Sequence, residues 1–160
     1  MIEVIMVMVV IGIMAAIAIP SFRGFTDSSN VTSATNDLVS AFNLARSEAV
    51  TRGTTVTVCK SADQASCNTA GTNWEQGWIV FVDNDGSGTV NGADAILRVY
   101  QSPGGNVVMT ADANLADRVI YAATGFLAST AANDEIKVVA GNSQLNVEVT
   151  AMGRIRSYRP

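Results

Sequence analysis

The chain opens with its densest apolar run. From Val4 to Ile19 there is no charged residue and a single glycine, Gly12. With Met1 and Ile2 the run approaches the roughly 20 residues that cross a bilayer as helix, so it predicts a segment able to sit in a membrane. After Pro20 the pattern changes. Phe22, Phe25, Val31, Ala34, Leu38, Ala41, Phe42, Ala45 and Ala49 fall mostly three and four positions apart, which marks one face of an amphipathic helix. Asp27, Ser28 and Ser29 decorate the solvated side, and Gly53 after Arg52 supplies a stop. A single helix over Met1–Thr51, broken or kinked at Pro20, would be about 75 Å long at 1.5 Å per residue. Half of it would stand bare of the remaining domain.

Beyond Gly53 the pattern shortens. The runs 54–59, 78–82, 95–100, 107–110, 119–122, 135–139, 145–150 and 154–158 are β-prone and separated by Gly, Asn, Asp and Pro clusters, which predicts antiparallel sheet. Alternation is clearest over 145–149, where Leu145, Val147 and Val149 would face the core and the second half of the helix. Trp74 and Trp78 are expected in the same core or at a subunit contact. The expectation is an α+β chain: a long N-terminal helix packed on an antiparallel β-sheet head, divided as 1–24 for the apolar helix and 25–160 for the head with the rest of the helix.

At 160 residues one core is all the chain can build. A net charge of −4 with no histidine argues against a generally basic nucleic-acid binder, and it removes the commonest general base and zinc ligand. There is no G-x-S-x-G and no phosphate loop, and the adjacent acids Asp134 and Glu135 would point to opposite faces of a strand. An enzyme is not expected. Cys59 and Cys67 flank a polar stretch and would close a short disulfide hairpin if the head is exported, or remain two free thiols.

Three features carry candidate chemistry. Glu3 is ionisable beside a run of Val, Ile and Met, so it needs a partner, such as the N-terminus of a neighbouring subunit, or it lies at headgroup level. The segment from Asp83 to Asp94 fits a twelve-residue calcium loop. Asp83, Asp85, Ser87, the Thr89 carbonyl, Asn91 and Asp94 are the candidate ligands, Gly88 makes the turn, and Val90 points inward. Position twelve is Asp where a bidentate Glu is usual, so Ca2+ would be held weakly; the alternative is a Gly/Asp-rich hairpin loop that binds nothing. Last, Arg154, Arg156 and Arg159, with Tyr158 among them, suit phosphate contact, or else form a solvated edge strand whose charges prevent aggregation.

The segment Glu3–Phe22, with its Ala-Ala-Ile-Ala-Ile-Pro-Ser-Phe close, resembles the start of type IV pilins and type II secretion pseudopilins. Leu44–Val50, Val56–Cys59, Trp74–Trp78, Gly77–Asp83 and Gly153–Arg156 are similar to the FimT/GspH branch of that superfamily, with the resemblance weakest across 101–135. The resemblance implies assembly through the apolar helix, with Glu3 in subunit docking. The segment bracketed by Gly12 and Pro20 is the one expected to lose helical order when packed. It also implies removal of a short basic leader by a prepilin peptidase, residence in the inner membrane before assembly by pilus machinery, and then a place in an extracellular filament with like subunits or other pilins. Some FimT-like minor pilins bind DNA through a Gly-Arg-x-Arg element, which Gly153–Arg156 matches. Three roles follow: structural pilus subunit, DNA-binding minor pilin, or minor pseudopilin of a type II secretion system.

Overall fold

A computed structural model describes residues 2–70, 73–92, 94–128 and 134–160, with the backbone alone along 15–21. One helix, α1 (Ile2–Arg52), precedes eight strands: β1 (Val56–Lys60), β2 (Gly77–Val82), β3 (Ala95–Gln101), β4 (Val108–Ala111), β5 (Arg118–Tyr121), β6 (Asp134–Ala140), β7 (Ser143–Val149) and β8 (Ile155–Tyr158). Each β-prone run of the sequence corresponds to one of them. At 51 residues, α1 is about 77 Å long. It runs uninterrupted through position 20, so the proline does not break it; the Pro20 side chain lies outside the described residues. The expected stop is in place: Gly53 takes φ +65°, open to a residue without a Cβ, and its N–H donates to the Ala49 carbonyl at 3.0 Å.

The strands form two sheets rather than one. The first has the order β3-β2-β1-β5 and the second β4-β6-β7-β8, all neighbours antiparallel. The second half of α1 packs chiefly on β6 and β7 of the second sheet and β1 of the first. Val31, Ala34, Leu38, Ala41, Phe42, Ala45 and Ala49 are buried there, with Ile136, Val138, Val147 and Val149 from one sheet and Val56, Val58, Val80 and Val119 from the other. Alternation along β7 puts Val147 and Val149 inward as expected, and Leu145 packs half-buried against the same core. The small side chains at 34, 41, 45 and 49 bring the helix backbone close to the sheets.

Trp74 fills the space between the layers. Its ring meets Phe42 edge-on, centroids 6.0 Å apart, and its indole N–H donates to the Leu115 carbonyl at 2.9 Å. Trp78, equally buried, stacks on Tyr100 with centroids 5.5 Å apart.

Phe22 and Phe25 depart from the predicted apolar face. They are 68% and 71% exposed, because α1 first meets the head further along, where Val31 is buried. Near that point the β6–β7 turn presses Gly141 against the Asp27 side chain, leaving no room for a Cβ. Among the described residues no helix is long and apolar enough to cross a membrane.

Both β1 and β2 are buried along their whole length. One face of each meets the main core; on the other, Cys59, Ile79 and Phe81 form a second cluster covered by Cys67 and Val90. Cys67 comes from the β1–β2 connection, where the Cys59–Cys67 disulfide closes the loop with Cα atoms 5.6 Å apart. Val90 comes from the β2–β3 loop. Two loops thus replace the third layer that the outer face of this sheet lacks.

Candidate functional site

The acidic loop sits on that outer face, directly after β2. Strand alternation carries Asp83 to the same side as Phe81, whose partner across the ladder is Thr57 of β1. There the Thr57 hydroxyl donates to Asp83 Oδ2 at 2.9 Å, and the Gly88 N–H donates to the same oxygen at 2.8 Å. Gly88 takes φ +71°, and a Cβ would collide with Arg118, so the turn specifies glycine. Asp83 is fully buried, and its Oδ1 has no hydrogen-bond partner among the described residues.

Asp85 and Asp94 complete a group whose carboxylate oxygens lie within 4.8 Å of one another. Asp85 accepts the Ser87 N–H at 3.0 Å and the Asn91 amide at 2.9 Å, and the first of these leads in holding its carboxyl below the usual range. Asp94 accepts the Asn84 and Asn91 N–H groups, each at 3.0 Å. The Ser87 hydroxyl donates to the Thr89 carbonyl at 3.0 Å. All six candidate ligands of the loop are therefore gathered. Sequence reasoning missed what braces them: Thr57, and Arg118 of β5, which donates to the Gly88 carbonyl at 2.7 Å across the outer face. Both braces are products of strand pairing and left no local signal.

The arginine tail lies on the edge strand of the second sheet. Arg154 and Arg156 are exposed; β8 begins at Ile155, so Arg154 enters just before it. Glu148 stands opposite Arg156 and Glu135 opposite Glu148, which places two carboxylates on the face Arg156 occupies. Arg156 reaches Glu148 at 3.9 Å, and the Tyr158 hydroxyl donates to Glu135, the contact that leads in raising its pKa. Arg159 is about 17 Å along the chain from Arg154 and lines a shallow recess with Ser28, Asn142, Ser143 and Gln144. Gly153, at φ +71°, lies against the Gly125 carbonyl and the Tyr121 ring. Its smallness is a packing requirement of the head.

Glu3 and the apolar half of α1 form the third region. Ile2, Val4–Ile11, Ile13 and Met14 are each more than half exposed, from 51% at Val10 to 81% at Ile2. Monomeric proteins rarely show water an apolar surface of this extent.

The chain is similar in fold to the type IV minor pilin FimU of Pseudomonas aeruginosa in two crystal forms. One aligns at TM-score 0.60 and 19% identity, covering 79% of this chain and 91% of FimU. The other aligns at TM-score 0.63 and 18% identity, covering 82% and 90%. No curated protein matches in sequence. The family model described as type II transport protein GspH matches residues 34–153, from the buried half of α1 to the glycine before the arginine tail. The family and fold are those of structural proteins rather than enzymes. The chain belongs to the GspH family and is a pilin-like subunit of a type IV pilus or pseudopilus.

Proposed function

We propose that this chain is a structural subunit of a type IV pilus-like filament, held in the fibre by the first half of α1. The observation that carries the reading is the bare apolar stretch from Ile2 to Met14, more than half exposed at each large side chain and projecting beyond the head. Before assembly that surface rests in the inner membrane after a prepilin peptidase has trimmed the leader. Assembly exchanges lipid for the same segment of neighbouring subunits, and Glu3 is neutralised by an adjacent N-terminus.

The test is a Glu3→Ala chain expressed in the producing cells, with sheared filaments and membranes probed separately. The expected outcome is normal accumulation in the membrane and loss from the filament fraction. Incorporation at the unsubstituted level would overturn the docking role of Glu3.

The family description, a type II transport protein, favours a second reading as a minor pseudopilin of a secretion system. Abundance in sheared fibres separates the two, since a pseudopilin contributes little to a surface filament. The third reading, DNA uptake through Arg154, Arg156 and Arg159, is weighed down by Glu148 and Glu135 on the face of Arg156. An Arg154→Ala/Arg156→Ala chain in a salt-dependent DNA titration decides it.

A further inference from the structure

We propose that the β2–β3 loop is a calcium site, independent of whether the filament is a pilus or a pseudopilus. Three carboxylates, Asp83, Asp85 and Asp94, approach within 4.8 Å, and none of them takes part in a salt bridge among the described residues. Like charges at that distance repel unless a cation or protons join them. Arg118 forms no salt bridge with them among the described residues; its Nη1 donates to the carbonyls of Ser87 and Gly88.

Asp83 supplies the independent observation. Its side chain is fully buried, and its two oxygens are treated differently: Oδ2 is fixed by Thr57 and Gly88, while Oδ1 has no partner among the described residues. A buried carboxylate oxygen left unpaired is destabilising, and the fixed one sets the plane of the group. Oδ1 is therefore the oxygen left open to a ligand, on a side chain that belongs to the three-carboxylate group. Around it the loop offers only oxygen donors: Asp85, the Ser87 hydroxyl, the Thr89 carbonyl and Asp94. Asn91 adds its amide oxygen if the amide, now donating to Asp85, is turned over. An all-oxygen set of up to six on a flexible loop suits Ca2+; Mg2+ prefers tighter octahedral geometry and keeps its waters. With aspartate at the twelfth position and no flanking helices, affinity should fall in the extracellular range, Kd about 0.1–1 mM.

The experiment uses the full chain in detergent, stripped with chelator and titrated with CaCl2 by calorimetry, with thermal unfolding followed in parallel. One site per chain is expected, and at about 5 mM Ca2+ an unfolding temperature higher by roughly 5 °C, with little response to Mg2+. Asp85→Asn, at an exposed position, should still fold and should weaken calcium binding about tenfold or more. Asp83→Asn should abolish binding, and if that chain fails to fold, Asp85→Asn decides alone. No heat and no shift up to about 10 mM Ca2+, an equal response to Mg2+, or undiminished binding by Asp85→Asn would each overturn the proposal.

Discussion

Reducing the Cys59–Cys67 bond isolates what the small ring contributes to the head. The bond spans eight positions, and constraining a ring of that size in the unfolded chain removes about 8.3 cal/mol/K of entropy, or about 2.5 kcal/mol at 25 °C. The folded loop does not depend on the bond alone. The Asn68 N–H donates to the Lys60 carbonyl at 2.8 Å, and Asp63 accepts the Ala65 and Ser66 N–H groups at 3.0 and 2.8 Å. The native shape should therefore survive reduction, and the effect should appear as stability. Urea unfolding of the full chain in detergent, followed by tryptophan fluorescence, reads it, since Trp74 and Trp78 are both buried. For a slope of about 1–3 kcal/mol per molar urea, the midpoint should fall by roughly 1–2.5 M on reduction. A shift below about 0.2 M would refute the reasoning, because it would mean that the unfolded chain holds the ring closed without the bond.

Two further outcomes follow from local geometry. Asp63 is held far below the usual carboxylate range, first by the Ser66 hydroxyl and then by the Ala65 and Ser66 N–H groups. A depressed folded pKa contributes stability that is present above the ordinary value of 3.8 and is lost as pH falls through the folded value. The amide shifts of Ala65 and Ser66 should accordingly hold steady from pH 7 to about 4 and move only in stronger acid; movement centred near pH 4 would count against the hydrogen bonds. Gly153→Ala should destabilise the head by about 1–3 kcal/mol, because φ +71° disfavours a Cβ that would also strike the Gly125 carbonyl. A thermal melt unchanged within a degree would refute it.

The parts that were legible in the sequence are those written in periodicity. The three-and-four spacing from Val31 to Ala49 became the buried face of α1, and every β-prone run became a strand. Phe22 and Phe25 carry the same spacing yet lie bare, because periodicity states which face is apolar and not how far along it the sheets reach. The division into two sheets was also hidden, since strand order depends on pairings across the chain, such as β1 with β5. In the acidic loop the spacing of Asp83, Asp85 and Asp94 was plain. The orphaned oxygen of Asp83 was not, because it follows from where Thr57 and Gly88 point. The glutamates facing Arg156 were hidden for the same reason: register, and not proximity in sequence, brings Glu148 and Glu135 alongside.

The outer face of the first sheet is roofed by loops instead of by a further layer, and each loop gives up one side chain to hold it down, Cys67 in one and Val90 in the other. Either loop can change its outward side chains while Cys59, Ile79 and Phe81 stay dry, provided Cys67 and Val90 keep their places and the β2–β3 loop keeps its bonds to Thr57 and Arg118, so the exterior of this subunit can diversify at a pace that its helix-facing core cannot follow.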